Sequence, residues 1–238
     1  MKPVAIFRHA PTEGPAYFAT YLSRNGIPWR VVKIDEGEPV PGDVGAFSGL
    51  GFMGGPMSVN DDLPWIGPVL DLIREAVAAD IPVVGHCLGA QLLAKALGGS
   101  VTRNPFKEIG WGIVEVIDGP EARRWFGDEA VRFPVFHWHG ETFSIPTGAT
   151  RVLASTHCAN QAFVKGKHLG LQCHVEMTPE LVRTWCADWG KEVGALARRT
   201  VSVQTPEQMT AGLEERTRAL SEMADRIYDR WAQGLARA

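Results

Sequence analysis

Residues 81–95 have the sequence Ile-Pro-Val-Val-Gly-His-Cys-Leu-Gly-Ala-Gln-Leu-Leu-Ala-Lys, in which a short apolar run leads directly into a stretch with helical spacing. Gly85 and Gly89 stand two residues before and two residues after Cys87. This spacing is typical of a nucleophile elbow, a sharp turn between a strand and a helix that exposes a reactive side chain. Glycine is expected on both sides because larger side chains would clash with neighbouring elements. The segment therefore predicts a buried strand, an elbow at Cys87 and a helix.

Short apolar runs alternate with helical spacing throughout the first hundred residues, as expected for a parallel sheet covered by helices. We predict strands at Val4–Phe7, Arg30–Ile34, Val44–Ser48 and Pro82–Gly85, and helices at Ala16–Arg24, Ile66–Ala79 and Leu88–Leu97. This pattern predicts a doubly wound α/β fold.

The second half of the chain has shorter segments rich in Val, Ile, Phe and Trp. We predict strands at Gly112–Ile117, Val131–Phe136, Arg151–Ser155, Gln161–Val164 and Gly170–Cys173. Helices return at Pro179–Trp189 and in one long helix from Pro206 to about Trp231, whose apolar residues are three or four positions apart. We expect the apolar stripe of this last helix to pack on its own domain; contact with a second copy or another protein is the alternative.

Composition excludes several classes of protein. The chain has 238 residues, of which 45% are hydrophobic and 21% charged, as in ordinary globular proteins. The net charge of −3 and the scattered charges argue against a nucleic-acid or membrane-surface partner. Without a signal peptide, a long apolar run or a C-x-x-C pair, we expect a reducing, cytoplasmic location; the four cysteines are Cys87, Cys158, Cys173 and Cys186.

Cys87 is the first candidate for chemistry, because the start of a helix favours a thiolate. The alternative is a buried structural cysteine between two packing glycines. A thiol is mostly protonated at neutral pH, so a nucleophile needs a base. His174 follows a predicted strand, and Glu176 lies two residues further on the same face, where it could fix the imidazole tautomer. A surface His-x-Glu pair is the alternative.

Residues 48–57 form a glycine-rich stretch with a G-x-G-x-x-G pattern at Gly49, Gly51 and Gly54. A dinucleotide-binding fingerprint would open a helix and precede an acidic residue at a strand end. Here a Gly-Pro dipeptide follows, and Glu75 lies within a predicted helix. We therefore interpret the stretch as a loop at a strand end, whose backbone N–H groups would form an oxyanion hole with the N–H of Leu88.

Three motifs, taken in order, resemble the signatures of the class I glutamine amidotransferases: Gly54-Gly55-Pro56, the Gly-His-Cys-Leu-Gly-Ala-Gln run of residues 85–91, and His174-Val175-Glu176. The resemblance covers about residues 1–190 and implies an open, mostly parallel, flavodoxin-like sheet with flanking helices. We expect residues 191–238 to be a C-terminal helical extension packed on the same domain.

The resemblance also implies a Cys-His-Glu triad that hydrolyses the side-chain amide of glutamine through a γ-glutamyl thioester. Matched by position, Cys87 would be the nucleophile, His174 the general base and acid, and Glu176 its orienter. The N–H groups of Gly55 and Leu88 would form the oxyanion hole. Gln91, one helical turn after the cysteine, matches a position that contacts bound glutamine.

Four further histidines are considered for other roles. The sequence Phe-His-Trp-His-Gly-Glu-Thr-Phe of residues 136–143 resembles a segment that passes the glutamine pocket in the GMP-synthase-like branch, so His139 is expected to line that pocket. His137 and His139 alone are too few for zinc, and no acid or cysteine has helpful spacing, so we expect no metal and no cofactor. His86 stands where the family usually has an apolar residue, and could perturb the thiol or cap the turn. His9 follows the first predicted strand, which would place it either at the ligand-binding edge of the sheet or in a turn.

We expect a stand-alone glutaminase-type domain, because residues 191–238 are too few for the ATP-pyrophosphatase domain of a complete GMP synthase. Its ammonia could pass to a separate synthase subunit, or the chain could be a free-standing γ-glutamyl hydrolase or peptidase. A homodimer is also possible. A non-catalytic binding or regulatory module of the same fold is a third possibility for the function.

Overall fold

The computed structural model describes residues 1–235. The strands in this range are β1 (Val4–Arg8), β2 (Trp29–Lys33), β3 (Gly49–Phe52), β4 (Val83–His86), β5 (Val101–Val116), β6 (Arg132–Phe143), β7 (Thr150–Ala154), β8 (Ala162–Lys165) and β9 (His168–Leu171). The α-helices are α1 (Ala16–Arg24), α2 (Ile66–Ala78), α3 (Leu88–Ala96), α4 (Pro120–Phe126), α5 (Pro179–Ala197), α6 (Pro206–Thr210) and α7 (Leu213–Ala232). No helix within these residues is long and apolar enough to cross a membrane.

The strands form one sheet in the order β2-β1-β3-β4-β9-β8-β7-β5-β6. The first five strands of that order are parallel to one another, and the remaining pairings are antiparallel. Both faces of the parallel part are covered: alternate residues of β1 belong to different apolar cores, with Val4 and Ile6 in one and Ala5 and Phe7 in the other. The predicted α/β class with flanking helices is confirmed.

The predicted strand Val44–Ser48 is wrong. Residues 44–46 form one turn of 3-10 helix, in which the Asp43 carboxylate accepts the N–H of Gly45 at 2.8 Å. The strand is the glycine-containing β3 instead, because helices pack closely over it. A Cβ on Gly51 would lie 2.6 Å from the ring of Phe18 in α1. The glycine-rich loop therefore begins only at Met53, after the strand.

The predicted continuous helix from Pro206 to Trp231 is also wrong, because it is interrupted between α6 and α7. Gly212 has a φ of 63°, in the left-handed region that glycine adopts readily, so the chain turns there before α7 begins. The buried stripe of α7 faces α1, where the ring of Tyr228 lies 4.8 Å from that of Phe18. Residues 236–238, the end of the expected extension 191–238, lie outside the described residues.

A long antiparallel hairpin of β5 and β6 brings the second half of the chain toward the elbow. Both strands are longer than predicted, and β5 contains a register shift between Arg103 and Glu108. Beyond β9, the backbone of His174 exchanges two hydrogen bonds with Phe136 of β6, at 2.8 and 3.1 Å. This pairing holds the segment after β9 against the middle of β6.

Candidate functional site

Cys87 occupies a sharp turn between β4 and α3. Its φ of 50° and ψ of −107° are unusual for a non-glycine residue, and such backbone conformations are concentrated at functional sites. A Cβ on Gly85 would lie 2.4 Å from the backbone of Gly89, and one on Gly89 would lie 2.1 Å from the carbonyl oxygen of Phe52. Both glycines are therefore required by close backbone packing, as the spacing predicted.

The thiol of Cys87 lies at the first turn of α3, where the helix dipole favours negative charge. The residue is 7% exposed, and its Sγ is 3.6 Å from Nε2 of Gln172 and 3.8 Å from the carbonyl oxygen of Trp138. The site is thus nearly enclosed and stands at the carboxyl ends of the parallel strands, where open α/β sheets commonly bind ligands.

A buried His–Glu pair stands beside this thiol. Nδ1 of His174 is 2.6 Å from Oε1 of Glu176, and each residue is 1% exposed. Burial alone would lower the pKa of His174, but the Glu176 carboxylate and the interaction with Cys87 raise that pKa well above its usual value. The same pairing lowers the pKa of Glu176 to about 2, against the effect of burial. The three side chains predicted as a triad are brought together.

The loop after β3 lies against the start of α3. A Cβ on Gly55 would be 2.8 Å from the Leu88 side chain, so the two residues predicted to supply oxyanion N–H groups are neighbours. His9 supports this loop: its Nδ1 is 3.1 Å from the carbonyl oxygen of Met53, and its ring stacks on Trp65. Burial lowers the pKa of His9 to about 4, so the ring is neutral at physiological pH.

Gln91 is connected to the cysteine through a residue that the sequence analysis did not single out. Nε2 of Gln91 donates to Oε1 of Gln172 at 3.1 Å, and Nε2 of Gln172 donates to Sγ of Cys87 at 3.6 Å. Gln172 is fully buried. The sequence feature that could have identified Gln172 is a polar glutamine directly after an apolar strand.

The side chain of His139 contacts its own strand and the neighbouring strand β5. Its Nδ1 is 3.0 Å from the Glu141 carbonyl oxygen, and its Nε2 is 3.1 Å from Oε2 of Glu108. Although no acid has helpful spacing in the sequence, the fold brings one to the two histidines: ligand atoms of Glu108, His137 and His139 all lie within 4.8 Å of one another. Glu108 is opposite His139 in the β5–β6 register, and this pairing cannot be read from linear spacing.

This cluster has the two imidazoles and one carboxylate that could bind a divalent cation such as Zn²⁺. Its carboxylate is also satisfied by protein hydrogen bonds. Ser155 donates its O–H to Oε1 of Glu108 at 2.7 Å, and Gln161 donates its Nε2–H to Oε2 at 2.7 Å. Burial alone would raise the pKa of Glu108, but His139, His137 and Ser155 together lower it. The arrangement as it stands is a hydrogen-bonded polar cluster.

His86 contacts the acid of the candidate triad. Its Nε2 is 2.9 Å from the hydroxyl of Tyr228 in α7 and 3.9 Å from Oε2 of Glu176. Burial lowers the pKa of His86, although Glu176 opposes this change. The histidine therefore links the C-terminal helix with Glu176.

Glu13 is a second residue that the sequence analysis missed. It is 8% exposed, and its carboxyl lies beside Gly54 of the loop after β3, as does the imidazole of His174. Burial, with a smaller contribution from Glu176, raises its pKa to about 8, while His174 acts in the opposite direction. An isolated Glu in a turn after a strand gives no sequence signal of this burial.

The fold and the geometry around Cys87 define an α/β protein with a candidate cysteine nucleophile at a strand–helix elbow. The chain belongs to the class I glutamine amidotransferase family, whose model, "Glutamine amidotransferase class-I", matches residues 17–185. Membership in this family supports hydrolysis of the glutamine amide in general terms.

Similar proteins share most of this fold. The glutamine amidotransferase-like protein YfeJ of Salmonella typhimurium is 29% identical over 180 residues, which are 73% of this chain and 75% of that protein. A glutamine-hydrolyzing GMP synthase component from Sulfolobus acidocaldarius is 32% identical over 136 residues, covering 55% of this chain and 68% of that protein. The crystal structure of a glutamine amido transferase from Methylobacillus flagellatus is 44% identical with a TM-score of 0.97, covering 100% of this chain and 97% of that one.

Proposed function

We propose that this protein hydrolyses a γ-glutamyl amide, converting glutamine into glutamate and ammonia through a γ-glutamyl thioester on Cys87. One observation carries the proposal: a cysteine at a strained elbow stands beside a buried imidazole whose Nδ1 is 2.6 Å from a carboxylate. An activated thiol, a base and a group that orients the base are the parts that nucleophilic amide hydrolysis needs.

In the first half of the reaction, His174 takes the thiol proton and the sulfur of Cys87 bonds to the amide carbon. The amide oxygen becomes an anion and accepts hydrogen bonds from the N–H groups of Gly55 and Leu88. Each such donor typically contributes ~3–4 kcal/mol to lowering the barrier. When the C–N bond breaks, Nε2 of His174 delivers its proton to the departing nitrogen, leaving the thioester.

In the second half, His174 accepts a proton from water, and the resulting hydroxide bonds to the thioester carbon. Collapse of this intermediate breaks the C–S bond and releases glutamate, and the sulfur of Cys87 takes back the proton that His174 holds. Glu176 stays ionised throughout; it holds the tautomer of His174 and stabilises the imidazolium that forms twice in the cycle. Since the chemistry requires a reduced thiol at Cys87, we retain the cytoplasmic location as part of the proposal.

A second candidate is that the ammonia passes to a separate synthase protein. The similarity to a component of a glutamine-hydrolyzing GMP synthase supports this candidate. Steady glutamine turnover by the purified chain alone favours a free-standing hydrolase. Turnover that appears only with an added synthase protein favours the amidotransferase.

Glutamate formation by the wild-type protein and by Cys87→Ser tests the proposal. We expect the variant to lose nearly all activity, because an alkoxide forms far less readily than a thiolate. Cys186→Ser, at a half-buried cysteine in α5, is the matched control and should keep wild-type activity. Activity of Cys87→Ser within about tenfold of wild type would contradict the proposal.

A further inference from the structure

The loop between β1 and α1 carries Glu13 into the candidate site. Its backbone N–H donates to the carbonyl oxygen of Ala10 at 3.0 Å. The indole N–H of Trp185 in α5 donates to the carbonyl oxygen of Thr12 at 2.9 Å. The position of Glu13 is therefore fixed by bonds within the loop and from α5.

The carboxyl of Glu13 and the imidazole of His174 both lie beside Gly54. A Cβ built on Gly54 would lie 2.6 Å from Oε2 of Glu13 and 3.4 Å from Cε1 of His174, so both groups border the space that a side chain on this glycine would fill. Cε1 is bonded to Nε2, the atom that would exchange protons with sulfur and with the departing nitrogen. The carboxyl therefore lies close to the imidazole that would protonate the leaving group.

This carboxyl lacks a partner of its own. Among residues 1–235 no hydrogen bond to it offsets its burial, and the main charges that act on it are those of His174 and Glu176. A buried polar group without a partner is costly, so such a group near a reaction centre is well suited to a ligand that supplies N–H donors or positive charge. In amide hydrolysis the departing nitrogen is such a ligand.

We propose that Glu13 forms a binding subsite for the nitrogen leaving group, first as the N–H of the scissile amide and then as ammonia and ammonium. The proposal rests on the proposed function and names a part of its site. The alternative ligand with the same chemistry is the α-ammonium group of the γ-glutamyl moiety. The leaving nitrogen fits better because Glu13 adjoins His174, whereas the α-ammonium group is separated from the reacting carbonyl by the methylene groups of the side chain.

The proton balance of the subsite is simple. Because its pKa is about 8, the Glu13 carboxyl carries a proton at neutral pH in the empty site. Ammonia released beside it takes that proton, the O–H bond breaks, and ammonium and carboxylate remain as an ion pair. When ammonium departs, the carboxylate regains a proton from solvent. The nitrogen product would therefore leave this site as a cation.

Product inhibition tests the subsite. Glutamate formation from glutamine is measured with increasing ammonium chloride, against potassium chloride at equal ionic strength, for the wild type, Glu13→Gln and Glu75→Gln. Glu75 is an exposed residue of α2 and controls for the loss of one carboxylate. We expect equal inhibition of the wild type and Glu75→Gln, and an inhibition constant raised about tenfold in Glu13→Gln, because a charge-assisted bond is lost.

Two kinetic results would overturn the assignment. One is ammonium inhibition that is absent in the wild type or unchanged in Glu13→Gln. The other is a raised KM for glutamine with unchanged ammonium inhibition, which would place the α-ammonium group beside Glu13 instead. A wild-type protein that does not turn over glutamine under any condition contradicts the proposed function itself, so the two failures are distinguishable.

A measurement without turnover covers the case in which Glu13→Gln is inactive. Iodoacetamide is a neutral reagent, and its rate of reaction with Cys87 is followed by peptide mass while ammonium is varied. We expect ammonium to slow alkylation of the wild type and to leave alkylation of Glu13→Gln unaffected. Equal slowing in both proteins, each shown to be folded by its thermal unfolding transition, would overturn the subsite.

Discussion

The hydroxyl of Tyr228 lies 2.9 Å from Nε2 of His86, the residue directly before the candidate nucleophile. The same nitrogen is 3.9 Å from Oε2 of Glu176. The C-terminal helix α7 therefore does more than cover an apolar face of the sheet. It ends a chain of polar contacts that leads to the acid of the candidate triad.

The first prediction is that Tyr228→Phe lowers kcat about three- to tenfold, since the loss of a hydrogen bond worth about 1 kcal/mol leaves His86 free to shift against Glu176. Tyr21→Phe is the matched control, because the hydroxyl of Tyr21 also bonds to α7, at Asp229, but away from the site. Both variants should lose similar stability, and only Tyr228→Phe should lose kcat. Equal kcat values in the two variants would contradict the linkage.

The second prediction ranks the members of the candidate triad. His174→Ala removes the base, whereas Glu176→Gln leaves the base in place and removes only the group that orients and stabilises it. The kcat for glutamate formation should therefore fall much further in His174→Ala than in Glu176→Gln. The reverse order would show that the two roles are misassigned.

The third prediction concerns the elbow glycine on the helix side. Gly89→Ala should lower the free energy of unfolding by about 3 kcal/mol or more, because the new methyl group would overlap the carbonyl oxygen of Phe52. Gly67→Ala is the control: Gly67 is exposed in α2 with no atom within 4 Å of an added Cβ, and alanine there should be neutral or stabilising. Chemical denaturation of both variants and of the wild type measures these changes in the free energy of unfolding. Equal effects would mean that the elbow tolerates a side chain.

The fourth prediction follows from the raised pKa of Glu13. Folded protein holds this proton up to about pH 8, while the unfolded chain releases it near the usual value of 4.5. Between these pH values the folded state binds the extra proton, so its stability falls as pH rises, by up to about 1.4 kcal/mol per pH unit. Chemical denaturation at pH 5 and at pH 8 measures the free energy of unfolding. Between these pH values it should decline less for Glu13→Gln than for the wild type. Parallel declines would show that Glu13 titrates normally.

Much of the parallel half of the sheet follows from the sequence, because a strand buried on both faces leaves a continuous apolar run such as Val4–Phe7. Strand β3 could not be predicted in the same way. Its Gly49 and Gly51 are typical of loops in a sequence, and only the structure shows that helix side chains pack closely against them. A single left-handed residue, Gly212, divides what periodicity predicts as one helix.

The candidate site also has a part that the sequence predicts and a part that it does not. The motif residues around Cys87 and His174 can be found because each motif is contiguous. Glu108, in contrast, reaches His139 only through the pairing of two long strands. Glu13 and His174 both lie beside Gly54, whose missing side chain leaves room for the two groups. Contacts of this kind depend on register and on a missing side chain, neither of which periodicity encodes.

Covalent trapping tests the central claim most directly. The purified protein is treated with a glutamine-derived diazoketone, and the modified residue is located by peptide mapping, with Cys87→Ser treated in parallel. We expect one label per chain on Cys87, loss of glutamine turnover in proportion to labelling, protection by glutamine, and no labelling of the variant. Labelling of Cys186 or another residue in place of Cys87, or turnover that survives complete modification of Cys87, would contradict the account.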